Sequence, residues 1–207
     1  METRSERAET TLAAIVGAAL DMAVTEGLES ISIGEVAKRL ELSKSGVFSR
    51  VGSREQLQVA VLLEFDKRFV QTVFLPAMGE ARGLPRLQAV MRRWLLWASD
   101  VDRHKTCLYT AGAFEYDDRE GPVREHLLDG VLRWRATLRR TVLQAMEAGH
   151  LRADLDAEQM VFEMDAIFTI LLHDARFLRD PRAPERAERA WQRLLNDSRP
   201  PAVNPKP

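Results

Sequence analysis

The sequence has a single cysteine, Cys107, among its 207 residues. An internal disulfide framework is therefore excluded, which favours a reducing compartment. No apolar run approaches the length needed to cross a bilayer, and the N-terminal segment METRSERAET lacks the hydrophobic core of a signal peptide. These absences lead us to expect a cytoplasmic protein without a membrane partner.

The residue patterns of most enzymes and metal sites are also missing from the sequence. It has no serine in a nucleophile elbow and no glycine-rich loop that could hold a phosphate. Its histidines, His104, His126, His150 and His173, do not stand at the spacing of a metal-binding pair. We therefore expect no enzyme activity, no metal and no cofactor.

Strand patterns and excess charge are equally scarce. The net charge is -1, so the overall composition indicates no nucleic-acid partner. No useful stretch alternates apolar and polar residues, whereas apolar residues recur at helical spacing along most of the chain. The pattern predicts an all-α protein of about nine helices, with a first helix from about Thr10 and a long helix from Ser53 to about Phe74.

The most informative stretch is ISIGEVAKRLELSKSGVFSRVGSREQL, residues 31–57. Ser32 and Ser53 are each followed three residues later by Glu or Gln, the pattern of a capping box, and Ser43 can cap a helix between them. Only short helices fit between these three starts. Their small apolar faces are supplied by Val36, Ala37, Leu40, Val47 and Phe48. The stretch therefore predicts a helix-turn-helix, whose second helix is presented to the DNA major groove.

Local charge agrees with a DNA-binding role for this stretch. From residue 38 to residue 54 the chain carries five basic side chains and one acidic side chain, Glu41. The basic residues are Lys38, Arg39, Lys44, Arg50 and Arg54. A basic patch of this size on one small module can contact several phosphates.

At these residues the sequence resembles the TetR family of transcriptional regulators. The resemblance implies an N-terminal three-helix DNA-binding module (1–52), joined by a long helix to a helical-bundle effector-binding and dimerisation domain (53–197); we expect 198–207 to be a disordered tail. Three positions depart from the usual pattern of the family. Phe48 stands where Tyr is common, Val51 where Phe is common, and Arg54 where Lys is common.

The position of each residue in a helix-turn-helix suggests its role toward DNA. Lys44, Ser45 and Gly46 fall in the first turn of the recognition helix, which reaches base edges, and Lys44 is the best donor to guanine. Val47 could contact a thymine methyl group or be buried, and we favour burial. The candidates for contacts to the phosphate backbone, which position the module, are Ser32, Lys38, Ser49, Arg50 and Arg54. Ser43, as the cap of the recognition helix, and Phe48, whose ring we expect to pack, complete the DNA-binding candidates.

Resemblance to the family also implies a small-molecule effector, which we expect to be hydrophobic, and a pocket for it. The candidate pocket residues are Phe65, Phe69, Met91, Trp94, Trp97, Tyr109, Phe114, Trp134, Phe168 and His173. Aromatic and methionine side chains at helical spacing are more often plain core, so each candidate has that alternative.

Two recognition helices must lie about one DNA turn apart to bind a palindrome, so the chain should form a symmetric homodimer. We expect the last two helices to form the interface, through Phe168, Leu171, Leu172, Ala175, Trp191, Leu194 and Leu195. Some of these residues must instead cover the core.

The sequence as a whole predicts a homodimeric, ligand-responsive transcriptional regulator. We expect a repressor that its effector releases from a palindromic double-stranded operator. The alternative is a helical small-molecule-binding protein or enzyme that keeps the helix-turn-helix as a scaffold. Sequence-selective binding to DNA separates the two.

Overall fold

The protein is described by a computed structural model, which covers residues 4–100 and 106–201. Within these two ranges every regular element is helical, and none is a strand. The predicted fold class, an all-α protein of about nine helices with an N-terminal helix-turn-helix, is confirmed.

The chain begins with four helices. They are α1 (Arg4–Glu26), α2 (Ile33–Arg39), α3 (Lys44–Val51) and α4 (Arg54–Phe69), with a 3₁₀ turn (Leu28–Ser30) between the first two. The first helix starts six residues before the predicted position. The fourth continues through a π-helical turn (Val70–Phe74) and a last α-helical turn (Leu75–Met78), so the predicted long helix is present and longer than expected.

Five more helices follow. They are α5 (Leu84–Ser99), α6 (Leu108–Glu115), α7 (Pro122–Glu147), α8 (Ala157–Arg176) and α9 (Ala183–Asp197).

Serine hydroxyls start the three helices of the 31–57 stretch, as predicted. Ser32 accepts a hydrogen bond from the Glu35 amide at 3.0 Å, and Ser43 accepts one from the Gly46 amide at 3.0 Å. Ser53 accepts a bond from the amide of the third residue after it, at 3.1 Å. Each cap satisfies an amide that has no partner inside its own helix, which fixes where these short helices begin.

The helices form two compact units. The first contains residues 1–69 and 105–131, and the second contains residues 70–104 and 132–207. Helix α4 thus belongs to the first unit up to Phe69, although the sequence assigned everything after residue 52 to the second domain. The predicted boundary remains a proposal about which residues act on DNA.

The first unit is built around α1, which packs along α4. Ile15, Ala19 and Ala23 of α1 are fully buried, as are Leu57 and Val61 of α4. Burying one large aliphatic side chain stabilises a fold by about 1.5–3 kcal/mol. Because α2 and α3 have only 7 and 8 residues, they depend on this core for their stability.

Helix α1 differs from one sequence expectation. Between Glu6 and Glu26 it is long and apolar enough to cross a membrane by length and composition, although we expected no such run. In the first unit 28 % of this apolar window is buried, with Ile15, Ala19 and Ala23 in the core and Leu12 39 % exposed.

The core of the second unit joins α5, α8 and α9. Trp191 of α9, Phe168 of α8 and Met91 of α5 are almost completely buried in it. Ser198 also belongs to this unit, because it is buried and its carbonyl accepts a hydrogen bond from the Arg152 amide at 3.0 Å. The predicted disordered tail therefore cannot start at Ser198; residues 202–207 lie outside the described ranges.

A group of polar side chains around the Glu29 carboxylate, which we call the Glu29 cluster, ties the 3₁₀ turn to the rest of the first unit. The carboxylate accepts hydrogen bonds from the Tyr116 hydroxyl, from Arg119 at 2.8 Å and from Arg54 at 3.1 Å. Gln58 of α4 donates to the Tyr116 hydroxyl at 3.0 Å. These donors lower the pKa of Glu29 from 4.5 to about 2, and the Tyr116 hydroxyl contributes most. Burial and the hydrogen bond to Glu29 raise the pKa of the Tyr116 hydroxyl.

The lowered pKa predicts how stability depends on pH. Since Glu29 ionises more readily in the folded protein, its contribution is complete above pH 4.5 and is lost as the pH falls toward 2. Glu29→Gln should lower the free energy of unfolding at neutral pH by about 1–2 kcal/mol, an amount limited by solvent screening. Urea unfolding at several pH values measures the difference, which should shrink toward pH 2.

Glu64→Gln is the matched control, because Glu64 makes ion pairs on the surface of α4 with Lys67 and Arg68. It should change the free energy of unfolding by less than about 0.5 kcal/mol. Equal losses from the two substitutions would contradict a special role for Glu29.

Candidate nucleic-acid interface

Helices α2 and α3 are joined by a tight turn at residues 40–43. Glu41 has a φ of 54°, in the left-handed region, and the Leu42 amide donates to the Ala37 carbonyl at 2.9 Å. This reversal closes the end of α2 and lets the side chain of Ser43 cap α3. The two short helices therefore form the helix-turn-helix that the sequence predicts.

Helix α3 has one buried residue and a broad exposed face. Val47 is fully buried, in agreement with the prediction, while Lys44 and Ser45 are exposed. Phe48 is 56 % exposed, so its assignment to packing was wrong. The Phe48 ring is therefore exposed on α3 together with the polar residues Lys44 and Ser45.

The capping serines keep a hydrogen atom that can bind DNA. Ser32 and Ser43 accept from backbone amides through oxygen lone pairs, and a hydroxyl in that role can still donate to a phosphate. The Ser43 hydroxyl also lies 3.3 Å from the Ser45 hydroxyl, and it keeps its hydrogen for DNA when Ser45 is the donor of that bond. Gly46 gives the second cap its space, because a Cβ at this position would stand 2.9 Å from the Ser43 hydroxyl oxygen. The expected close approach of DNA at Gly46 remains a proposal.

Two predicted phosphate contacts are directed elsewhere. The Ser49 hydroxyl donates to the Gly46 carbonyl at 3.0 Å, which uses its single hydrogen. Arg50 donates to the same carbonyl at 2.7 Å, but its guanidinium has further donors for a phosphate. Arg50 thus remains a better candidate than Ser49.

Arg54 belongs to the Glu29 cluster instead of standing free at the start of α4. Besides its bond to the Glu29 carboxylate, it donates to the Ile31 carbonyl at 2.8 Å and to the Glu29 carbonyl at 2.5 Å. These bonds give it a structural role inside the first unit. Lys38 is the contrasting case: it is exposed, and among the described residues it has no hydrogen-bond or ion-pair partner.

The Glu29 cluster could not be found from the sequence. Glu29 and Tyr116 are 87 positions apart, and neither residue belongs to a recognisable motif. Capping patterns reveal contacts over three or four residues, whereas this contact depends on how α6 packs in the first unit.

The predicted effector residues are divided between the two units. Phe65, Phe69, Tyr109 and Phe114 belong to the first. The rings of Phe65 and Tyr109 lie 6.0 Å apart, and the Tyr109 ring occupies the space that a Cβ on Gly130 would need. Phe114 is 72 % exposed, and its place in the expected pocket stays a prediction.

The other six candidates belong to the second unit. Trp94 stacks on Phe168 at 4.2 Å between ring centroids and meets Trp134 edge-on at 5.2 Å, and Trp97 lies 6.3 Å from Phe168. This contact pattern supports the core alternative for the aromatic residues, and Met91 is buried as well. His173 is exposed and pairs with Asp174 at 2.9 Å.

Most of the predicted dimer interface is also core. Five of its seven residues are buried within the chain: Phe168, Leu171, Leu172, Trp191 and Leu195. The other two, Ala175 and Leu194, are half-buried. The predicted interface is therefore wrong at the five buried positions, because α8 and α9 use them to pack in the second unit.

Comparison with known families gives a match over the second half of the chain. A family described as the C-terminal domain of tetracyclin repressor-like proteins matches residues 83–191. A search of curated proteins finds no match.

Solved structures give the same fold. The chain is similar to a TetR transcriptional regulator from Chloroflexus aurantiacus, with 21 % identity, a TM-score of 0.76, and coverage of 92 % of this chain and 94 % of that one. A TetR-family regulator from Cytophaga hutchinsonii is 15 % identical, with a TM-score of 0.77 and coverage of 96 % of this chain and 98 % of that one. The reduced form of E. coli NemR is 20 % identical, with a TM-score of 0.75 and coverage of 94 % of this chain and 100 % of that one.

The matched family domain covers more than half of the chain, and the helix-turn-helix precedes it at the expected place. The protein therefore belongs to the TetR family of transcriptional regulators.

Proposed function

We propose that the protein is a homodimeric, ligand-responsive repressor that binds a palindromic operator in the cytoplasm. The observation that carries the proposal is the outer face of α3, where Lys44, Ser45 and Phe48 are exposed while Val47 holds the helix in the core. A recognition helix needs such a face, because side chains near its start read base edges in the major groove.

The described contacts refine the roles toward DNA. Lys44 is exposed and has no partner among the described residues, so it can donate to guanine. Lys38, the capping serines and Arg50 are assigned to the phosphate backbone, where contacts position the module without selecting a sequence. Arg54 supports the module through the Glu29 cluster.

A palindromic operator requires two copies of the chain, and α8 offers a surface for the second copy. Phe162, Ala166 and Ile170 are exposed along one side of this helix, and Phe177, the residue that follows its last turn, is exposed as well. We call these four residues the α8 stripe. Phe162 is 60 %, Ile170 55 % and Phe177 78 % exposed. The buried residues of α8, such as Met164, lie on the opposite side.

A helix that is apolar on two opposite faces needs two packing partners. One face of α8 packs in the core of the second unit, and the stripe is the other. We therefore assign the dimer interface to the α8 stripe, in which the same surface of each copy meets the other across a two-fold axis.

The effector is assigned to the second unit, which contains residues 83–104 and 132–191 of the matched family domain. Binding of the effector would change the separation of the two recognition helices in the dimer and so lower the affinity for DNA. Helix α4 and its continuation past Phe69 would transmit this change. The rival function is a helical small-molecule-binding protein or enzyme that keeps the helix-turn-helix as a scaffold, and it would show no selective binding to DNA.

Two lysine-to-alanine substitutions test the roles toward DNA. A preferred site is first selected from randomised duplexes. Lys44→Ala should weaken binding to that site by about tenfold to a hundredfold and weaken random DNA much less, because one base contact is lost. Fluorescence anisotropy over a range of salt concentrations measures both affinities.

Lys38→Ala is the matched control, since it removes the same charge from an exposed position outside α3. It should weaken both DNAs by the same factor and reduce the salt slope by about one. If the selection enriches no site, the protein does not act as a sequence-selective regulator; equal effects of the two substitutions would contradict the assignment of Lys44 to bases.

The dimer assignment is tested by placing a charge on the α8 stripe. Ile170→Asp should raise the dimer dissociation constant by about a hundredfold or more, because the two-fold axis repeats the loss of a buried aliphatic side chain. Leu96→Asp, at a position on α5 that is 62 % exposed, should leave it unchanged. Sedimentation velocity measures both variants, and a stable Ile170→Asp dimer would show that the interface lies elsewhere.

A further inference from the structure

The second unit has an open groove where α5 and α8 end and α9 begins. Its volume is about 520 Å³, within the size range of small-molecule sites. Ser99 lines it from α5, and Ala175 and Arg176 line it from the last turn of α8. The loop that follows α8 contributes Arg179 and Pro181. This groove is separate from the stacked tryptophan and phenylalanine rings of the same unit.

The groove has positive charge that the described chain does not neutralise. Arg176 and Arg179 have no hydrogen-bond or ion-pair partner among the described residues. Asp180, the acidic residue of the lining, already binds Arg186 at 2.5 Å and accepts from the Arg182 amide at 2.9 Å. Two guanidinium groups are therefore available to a negatively charged ligand.

Arg176 is partly buried and has no counter-charge among the described residues. Arg135 and Arg139 each pair with a carboxylate, of Asp165 and Glu158 respectively, at 2.5 Å. For Arg176 burial alone lowers the pKa of the guanidinium. Removing a charged group from water without a partner is unfavourable, and an anion in the groove would offset that cost.

Arg179 occupies a backbone position that favours glycine. Its φ is 53°, and the Asp180 amide next to it donates to the Asp174 carbonyl at 3.0 Å, as at the end of many helices where a glycine closes the last turn. A residue with a side chain is strained there by about 1 kcal/mol or more. The arginine thus carries a local cost that its guanidinium would offset by binding a ligand.

We propose that this groove binds a small organic carboxylate, whose carboxylate group is held by Arg176 and Arg179 and whose apolar part lies on Ala175, Pro181 and Pro184. The planar donor fork of arginine matches the two oxygens of a carboxylate, and the proline and alanine side chains match an alkyl or aryl chain. We also propose that this organic acid is the effector, and this part rests on the proposed function as a ligand-responsive regulator.

Isothermal titration with three carboxylates, butyrate, octanoate and phenylbutyrate, tests the site on the full chain in the absence of DNA. At least one acid should bind the unsubstituted protein, and its uncharged amide should bind at least about tenfold more weakly. Arg176→Gln and Arg179→Gly should each weaken the acid by about tenfold or more. Arg193→Gln, the control, removes one charge from the exposed face of α9 outside the groove and should bind normally.

Arg179→Gly keeps the test independent of folding, since glycine relieves the left-handed backbone and should leave the thermal midpoint unchanged or raised. Absence of binding by all three acids, equal binding of acid and amide, or unchanged binding by Arg179→Gly would each overturn the proposed site.

DNA binding by the same preparations separates this proposal from the proposed function. Selective DNA binding without carboxylate binding would overturn the groove proposal and leave the regulator intact. Arginine-dependent carboxylate binding without selective DNA binding would support the groove and overturn the regulator. When both hold, the bound acid should reduce DNA affinity in the unsubstituted protein and not in Arg179→Gly; unchanged affinity would overturn its role as effector.

Discussion

The turn that leads into the helix-turn-helix is held by a single carboxylate, that of Glu29, between α1 and α2. It accepts from Arg54 at the start of α4 and from Tyr116 and Arg119 after α6, so one group joins three parts of the first unit. Helices as short as α2 and α3 gain little stability from their own hydrogen bonds, and their positions follow from the surfaces that hold them. The caps set where these helices begin, and the Glu29 cluster fixes the turn that leads into them.

This arrangement explains how one short helix, α3, can both pack in the first unit and present side chains to DNA. Val47 faces the core while Lys44 and Phe48 on the same helix face outward, so α3 is held from behind and its outer face stays available. Arg54 shows the opposite outcome, since its side chain is used within the unit. Positive charge in a sequence therefore identifies a possible DNA-binding surface, and hydrogen bonds decide which charges remain on it.

The sequence predicted the features that depend on neighbouring residues. Ser32, Ser43 and Ser53 each cap a helix as expected, and apolar spacing identified the helices after them. It failed where two surfaces compete for the same kind of residue. Helix α8 is apolar on two sides, and periodicity cannot tell which side meets the core, so buried Phe168 and Leu171 were assigned to a dimer interface. Contacts distant in sequence, such as Glu29 with Tyr116, leave no local pattern to find.

The DNA affinity of Tyr116→Phe tests most directly whether the Glu29 cluster positions the recognition helix. Phenylalanine keeps the ring and removes the hydroxyl that joins Glu29 to Gln58. The account predicts that affinity falls by about fivefold for the preferred site and for random DNA alike, with the helical circular dichroism unchanged, because one hydrogen-bonded tie is lost and no base contact is touched. Unchanged affinity for both DNAs in a folded protein would contradict it.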